Sequence, residues 1–258
     1  MVCYKDLDSI LRRYAEVIKD TLWSSYTLAH VRKLKPLLDY LKNDSVGIRR
    51  MLDLGTGYGV LASIIADYLD VKEAYGVDVS RERIEWINKV LRPHGSGLVG
   101  VEADVCNALD FPPNYFDLVT SFGALEHVWC WDEVLENIKR VLRDGGYAMI
   151  SVPNLGSWVN RIALLLGYQP RDLEISKKKV YGILPMYRTQ SVVGHIKGAT
   201  YRAFKEFLED NGFHIVKSIP LYSNETLVVN IIDTMLRSPS LARRFIVLAK
   251  YIKDKKDV

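Results

Sequence analysis

The first part of the chain has apolar residues at helical spacing among charged ones. Apolar positions recur every three or four residues, which places them on one face of a helix. They are Leu7, Ile10, Leu11, Tyr14, Val17 and Ile18, followed by Leu34, Leu37, Leu38 and Leu41. This pattern predicts two amphipathic helices within residues 4–42.

From residue 50 onward the pattern changes to short apolar runs that alternate with amphipathic segments. The runs read RMLDL, EAYGVDV, LVGVEADV, FDLVTSF and YAMISVP. The segments GVLASIIADYLD, RERIEWINKVLR and WDEVLENIKRVLR lie between them, and we expect the last to stop at Gly145-Gly146. Apolar strands that alternate with helices predict an α/β fold with a doubly wound, mostly parallel sheet of seven strands and helices on both faces.

Residues 154–199 interrupt this alternation. They include Trp158, Tyr168, Tyr181 and Tyr187. A long connection this rich in aromatic residues is more typical of a lid or an insert than of a linker. Tyr181 and Tyr187 are consistent with an acceptor pocket or with simple packing. The division predicted from these patterns is a helical extension over 1–45 and one domain over 46–258, with the insert as a substrate lid.

The alternation then resumes to the end of the chain. We expect a helix over TYRAFKEFLEDNG, a strand over FHIVKSIPLY and a helix over 225–237. The final run RRFIVLAKYI is consistent with a basic helix on a membrane surface. We favour an edge strand, because Phe245, Ile246 and Val247 are β-formers and a charged tail follows.

One segment of the insert, SWVNRIALLLGYQP, is notably apolar. Its residues Ile162, Leu164, Leu165 and Leu166 are suited to an apolar acceptor, a membrane surface, a second subunit or the sheet. We expect these side chains to be buried.

Composition narrows the class of protein. The chain has 258 residues, 48% of them hydrophobic, and a net charge of +4, so it is long enough for a real core and shows no dedicated nucleic-acid surface. Cys3, Cys106 and Cys130 show no CxxC spacing, so neither a disulfide framework nor a zinc site is expected. No apolar run reaches the roughly 18 residues of a spanning helix. These features predict a cytoplasmic protein.

The stretch MLDLGTGYGVLA, residues 51–62, carries the main chemical signal. Its order is DxGxGxG, with Asp53 in an apolar run before Gly55, Gly57 and Gly59. Glycines at a strand-to-helix turn allow close approach of a ligand to the backbone. The dinucleotide fingerprint GxGxxG would need glycine at position 60, where Val60 stands, which argues against a nicotinamide oxidoreductase.

These residues resemble the class I S-adenosylmethionine-dependent methyltransferases, specifically the type 11 small-molecule group. LDLGTGYG is similar to the first motif of that family, YGVDVS to its second-strand acid and VEADV to its third-strand acid. FDLVTSFGALEHV resembles its fourth-strand segment and VLRDGGYAMISVPN its fifth. The resemblance covers about residues 45–153, with the motifs in order.

The resemblance implies a cofactor site for S-adenosyl-L-methionine. Asp53 would lie near the amino-acid end of the cofactor, Asp78 would accept both ribose hydroxyls, and Asp104 would take the adenine amino group. The full implied set is Asp53, Gly55, Thr56, Gly57, Gly59, Asp78, Val79, Asp104, Val105, Ser121 and Phe122. Val79 and Val105 would contact adenine, and Ser121 and Phe122 would line the passage to the acceptor. Taken singly, Asp78 is also consistent with a helix cap, and Asp104 with closure of a strand.

Three residues are candidates for acid–base catalysis. His127 follows the fourth strand near the expected methyl group, and an unperturbed imidazole titrates near pH 6.5. Glu126 stands beside it, and His195 lies in a GHI element that resembles one before the sixth strand of similar enzymes. Each also has a structural interpretation, which is packing or capping for His127, a solvent-facing position for Glu126 and a backbone contact for His195.

The residues after the fourth strand narrow the acceptor. Enzymes that methylate exocyclic amines carry an Asn/Asp-Pro-Pro-aromatic element there, whereas this chain has Ser121-Phe122-Gly123-Ala124. The sequence therefore predicts a methyltransferase (EC 2.1.1.-) for a small-molecule, sugar or lipid-like acceptor, with nucleic acid disfavoured, no metal, and peripheral membrane contact and oligomeric state left open. The alternative is a catalytically silent cofactor-binding protein with a regulatory or interaction function.

Overall fold

The computed structural model describes residues 6–18, 24–44, 47–187, 191–222 and 227–253, with the side chains of 24–30 and 227–228 excluded. The structural statements below concern these residues. Cys3 and the first two residues of the helix expected over 225–237 lie outside them.

A seven-stranded sheet forms the centre of the fold, in the order β3-β2-β1-β4-β5-β7-β6. The pairs β1–β2, β1–β4 and β2–β3 are parallel, and the sheet as a whole is mixed and mostly parallel. The strands are β1 (Arg50–Leu54), β2 (Glu73–Asp78), β3 (Leu98–Glu102), β4 (Phe116–Phe122), β5 (Leu142–Pro153), β6 (Phe213–Leu221) and β7 (Arg244–Tyr251). The predicted α/β fold with a mostly parallel sheet is confirmed.

The described residues include eight α-helices. They are α1 (Leu7–Val17), α2 (Ser24–Asn43), α3 (Val60–Tyr68), α4 (Arg81–Trp86), α5 (Trp131–Val141), α6 (Trp158–Leu165), α7 (Tyr201–Glu209) and α8 (Leu227–Met235). A π-helical turn, Ile87–Leu91, continues α4, and 3₁₀ turns cover Leu125–His127 and Pro185–Tyr187. Both helices expected in the N-terminal region are present, and α1 buries the apolar face that its spacing indicated.

Two strands differ from the sequence prediction. β5 begins at Leu142, so Gly145 lies inside the strand with φ +71° and does not end the preceding helix. A glycine within a strand commonly marks a local irregularity of the ladder. β7 is an interior strand between β5 and β6, not an edge strand. Its residues 245–249 are all buried, as expected for a strand covered on both faces.

The chain divides into two compact units. The first contains residues 1–121, 132–148 and 251–253, and the second contains residues 122–131, 149–250 and 254–258. In the first unit, the hydroxyl of Tyr14 in α1 donates to Asp67 in α3 at 2.7 Å, which anchors the N-terminal helix. The division predicted from the sequence, 1–45 and 46–258, stays a prediction.

The insert has a small core of its own within the second unit. Val159, Ile183 and Tyr187 are buried together, so Tyr187 is a packing residue, whereas Tyr181 is exposed. The expected burial of the apolar run in α6 is wrong. The exposed fractions are 43% for Ile162, 58% for Leu164, 85% for Leu165 and 61% for Leu166. Because α6 packs through Val159 and Ala163, these four side chains are left on its other faces.

The expectation of unpaired cysteines also needs correction. Cys106 and Cys130 are both disulfide-bonded. Spacing along the chain carries no information about the bonded state of a thiol in the fold, so the pattern did not indicate it. None of the helices in the described part of the chain combines the length and the apolar character that a membrane crossing requires.

Candidate functional site

The turn between β1 and α3 explains the alternating glycines. Gly55, Gly57 and Gly59 adopt φ of +69°, +59° and +69°, in the left-handed region that residues with a Cβ rarely enter. A Cβ on Gly59 would lie 2.6 Å from Leu98, whereas one on Gly57 would meet none of the described residues within 4 Å. The turn therefore presents bare backbone to an open space at Gly57.

Asp78, the last residue of β2, holds this turn in place. Its Oδ2 accepts a hydrogen bond from the Gly57 N–H at 2.8 Å, and its Oδ1 accepts from the Ser80 N–H at 2.9 Å. Arg83 lies 3.5 Å from Oδ2. Ser80 in turn is the N-cap of α4, so Asp78 contacts the capping residue of this helix and is not the cap itself. A carboxylate offers about four acceptor sites, so Asp78 keeps capacity for further donors.

Asp53 is buried inside β1, with 4% of its surface exposed. The hydroxyl of Thr120 in β4 donates to its Oδ1 at 2.5 Å. Burial raises the pKa of Asp53 to about 6, the Thr120 hydroxyl opposes this shift, and the negative charge of Asp78 adds to it. Near neutral pH this carboxyl group therefore exists in both protonation states.

The other residues implied for the cofactor differ in exposure. Asp104 lies beyond the end of β3, is exposed, and accepts a hydrogen bond from the Cys106 N–H at 2.9 Å. Val79 is 72% exposed, and Val105 is half-buried. Ser121 is fully buried and donates its hydroxyl to the Leu54 carbonyl at 3.0 Å, so its side chain connects two strands. Phe122 ends β4 and is half-buried.

The three acid–base candidates form a cluster in the second unit. One ligand-type atom each of Glu126, His127 and His195 lies within 4.8 Å of the others. The two imidazole rings are 5.0 Å apart between centroids. Nε2 of His195 lies 3.7 Å from Oε1 of Glu126. Glu126 and His195 are buried, whereas His127 is exposed. The fold thus brings together residues that are 68 or more positions apart in two of the three pairs.

Glu126 is tied to β7 and to the loop that carries His195. Its Oε1 forms an ion pair with Arg244, and its backbone carbonyl accepts from the N–H groups of Ile196 at 2.9 Å and Lys197 at 3.2 Å. Gly123, at the end of the segment from β4, takes φ +70°, and a Cβ there would lie 3.4 Å from the Arg244 guanidinium. The alternative interpretation of Glu126 as a solvent-facing helix residue is therefore wrong.

Burial dominates the electrostatics of His195, the buried histidine of the cluster. It lowers the pKa of His195 to about 4, with the negative charge of Glu126 opposing and the positive charge of Arg244 reinforcing the shift. Burial also raises the pKa of Asp172 in the same unit, against the positive charges of Arg171, Arg244 and Arg243. His195 is therefore a neutral imidazole at physiological pH.

Sequence reasoning missed the residues that support these groups. The sequence indicates Thr120 only as a strand residue and Arg244 only as part of a β-forming run, and it carries no signal for Glu174. Glu174 accepts hydrogen bonds from the N–H groups of residues 193–195 at 2.6–3.2 Å. These partners lie far from the site in the chain, so no local motif could have identified them.

A family model described as "Methyltransferase domain" matches residues 23–218. Two curated relatives have partial matches. An uncharacterized methyltransferase, YcgJ, from Bacillus subtilis is 29% identical over 119 residues, which is 44% of this chain and 46% of the relative. A ubiquinone biosynthesis O-methyltransferase from Vibrio cholerae is 27% identical over 127 residues, which is 48% of this chain and 51% of the relative.

The chain thus spans about half the length of the curated relatives it matches. Among solved structures, a SAM-dependent methyltransferase from Archaeoglobus fulgidus aligns with a TM-score of 0.55 at 18% identity, covering 87% of this chain and 94% of that one. At this identity the structural likeness bears on the fold alone.

Proposed function

The chain belongs to the methyltransferase-domain family, among the class I S-adenosylmethionine-dependent methyltransferases, and from this premise we propose that it transfers a methyl group from S-adenosyl-L-methionine to a small-molecule, sugar or lipid-like acceptor. The observation that carries the proposal is the turn at residues 55–59, which offers three left-handed glycines and an open space at Gly57 beside a buried carboxylate.

The residues around this turn fit the chemical groups of the cofactor. The bare backbone at Gly57 suits close approach of the amino-acid end. Asp78 retains acceptor capacity for the ribose hydroxyls while it holds the turn. The exposed side chain of Val79 offers apolar surface for the adenine ring, and the exposed Asp104 can accept from its amino group.

Bound cofactor would supply an electrophilic methyl group on a sulfonium. The chain's own contribution is then to orient the reacting groups and to exclude water. Glu126, His127 and His195 stay candidates for assisting removal of a proton from a hydroxyl acceptor. His127 is the exposed member of the three, so it is the one that an acceptor reaches directly.

One observation argues against a nucleic-acid acceptor, and two others support an apolar acceptor. The segment after β4 lacks the Asn/Asp-Pro-Pro-aromatic element of enzymes that methylate exocyclic amines. One relative is named as an O-methyltransferase of ubiquinone biosynthesis, which supports a hydroxyl on an apolar acceptor. The exposed Leu164, Leu165 and Leu166 in the second unit offer apolar surface for such a molecule.

A methyl-transfer assay tests the proposal. The protein is incubated with isotopically labelled methyl donor and fractionated pools of phenolic, sugar and lipid acceptors, and labelled products are identified by mass. We expect transfer by the wild type and by Glu102→Gln, an exposed acid that is the register partner of Asp78, and strongly reduced transfer by Asp78→Asn. Cofactor binding without transfer to any pool would favour the silent binding protein instead.

A further inference from the structure

The cluster of Glu126, His127 and His195 has the composition of a metal site. It offers two imidazoles and one carboxylate, with one ligand-type atom from each within 4.8 Å of the others. Two histidines and one glutamate are a ligand set that holds divalent ions such as Zn²⁺ and leaves coordination positions open. We propose that these three side chains form a binding site for a divalent transition-metal ion, with Zn²⁺ as the ion that fits best.

The carboxylate of Glu126 is prepared for such a ligand. The residue is 1% exposed, and its two oxygens differ in their surroundings. Oε1 is held by the guanidinium of Arg244, whereas Oε2 is buried and meets no hydrogen-bond donor among the described residues. A buried carboxylate oxygen without a donor is costly, and a cation would compensate for it. Arg244 thus orients the side chain, and Oε2 stays available to an ion.

His127 is oriented in the way that metal-bound histidines usually are. Its Nδ1 lies 3.1 Å from the backbone carbonyl oxygen of Gly194. A carbonyl only accepts, so Nδ1 carries the proton, and Nε2 of the neutral ring keeps its lone pair. Donation of the second ring N–H to a carbonyl fixes the tautomer of many metal-binding histidines. Gly194 has φ +85°, a backbone conformation that residues with a Cβ rarely adopt, so glycine suits the position that presents this carbonyl.

The loop that carries His195 is held rigidly beside the other two ligands. The carboxylate of Glu174 accepts from the N–H groups of Val193, Gly194 and His195. The following N–H groups, at residues 196 and 197, donate to the backbone carbonyl of Glu126. Hydrogen bonds that need no ion therefore hold the backbone of Glu126 and of His195, which is the preorganisation that a metal site requires.

Ligand distances favour a small ion with nitrogen ligands. Bonds of Zn²⁺ to nitrogen and oxygen of about 2.0–2.2 Å place two ligand atoms roughly 3.3 Å apart. The three ligand atoms lie within 4.8 Å of one another, so small side-chain shifts that keep the Nδ1 contact of His127 with Gly194 would bring them to this spacing. Mg²⁺ and Ca²⁺ prefer all-oxygen sites, so they fit this set poorly. When an ion is bound, the imidazoles are ligands and cannot accept a proton. The metal content of the protein therefore decides whether this cluster is a metal site or a group of acid–base candidates.

Zn²⁺ binding to the full chain, prepared without a histidine tag and freed of metal with a chelator, tests the proposal. Affinity is measured by competition with a chromophoric zinc chelator, and Co²⁺ is added separately to record visible d–d absorption. We expect one equivalent of Zn²⁺ per chain in the wild type and in His214→Ala, which removes an exposed histidine of β6. His127→Ala should weaken binding by at least the roughly tenfold that loss of an outer hydrogen-bond partner costs.

Because the side chain of His127 is exposed, the His127→Ala variant should fold normally, and thermal unfolding of the metal-free variants checks this. Absence of saturable Zn²⁺ binding in the wild type, or equal affinity in His127→Ala and His214→Ala, would overturn the proposal. Equal competition by Mg²⁺ would overturn the assignment of nitrogen ligands. The measurement involves neither cofactor nor acceptor, so its failure would leave the proposed methyl transfer unaffected.

Discussion

Among the individual residues, Asp53 shows how burial adjusts a carboxyl group. The surrounding strand leaves it 4% exposed, and its strongest hydrogen bond comes from the neutral hydroxyl of Thr120. Among the described residues, no positively charged partner offsets this burial, and the pKa of Asp53 rises to about 6. The ionised form therefore costs free energy of folding at physiological pH, and a bound cofactor ammonium would reduce that cost.

Asp53→Asn should make the protein less sensitive to pH. The folded pKa of about 6 exceeds the ordinary value of 3.8, so the wild type binds more protons when folded and loses stability as pH rises from about 4 to 6. The free energy of unfolding of the variant, relative to the wild type, should rise by about 1–3 kcal/mol over that window and stay constant above pH 7. Denaturant unfolding at several pH values measures this, and a difference independent of pH would refute the assignment.

Gly57→Ala should affect ligand binding as well as stability. An alanine at φ +59° costs about 1–2 kcal/mol, and its methyl group would enter the open space next to the turn. Gly97→Ala is the matched control, because Gly97 also has free space around its Cβ position but no positive φ. Chemical unfolding and titration with adenosylhomocysteine should show losses in the first variant and a change within about 0.5 kcal/mol in the second. Equal behaviour of the two variants would contradict the site.

Among the elements, α6 has one face that packs against the insert and other faces that are exposed to solvent. Its inner face contributes Val159 to the small core of the insert, while Leu165 on another face is 85% exposed. The sequence marked this segment as apolar but indicated neither the helix nor the face that lacks cover. That depends on what lies beside the helix, which the local pattern does not encode.

Two substitutions in α6 should therefore affect different properties, one the rate of transfer and the other the stability of the fold. Leu165→Ser should change the free energy of unfolding by less than about 0.5 kcal/mol, but it should reduce the rate of transfer to an apolar acceptor. Val159→Ala removes buried methyl groups and should cost about 1–3 kcal/mol. Unfolding curves and initial rates with the acceptor found by screening measure both. A Leu165→Ser variant as unstable as Val159→Ala would show that this face is packed after all.

For the whole molecule, the sequence was informative where neighbours in the chain decide the structure. The order of helices and strands, the glycine turn and the acid that ends β2 all follow from local patterns. It was uninformative where distant segments meet. The interior position of β7, the ion pair of Glu126 with Arg244 and the bonded state of Cys106 and Cys130 depend on contacts that local patterns do not record.

Calorimetric titration with S-adenosylhomocysteine tests the central claim, that the turn at residues 55–59 and Asp78 hold the cofactor. We predict one site per chain in the wild type and in Glu102→Gln. In Asp78→Asn we predict about tenfold to hundredfold weaker binding, as expected for loss of charge-assisted hydrogen bonds worth about 1.5–3 kcal/mol. Unfolding curves should show that the variant remains folded. Unchanged affinity in a folded Asp78→Asn protein, or NADH binding in place of the nucleoside, would contradict the account.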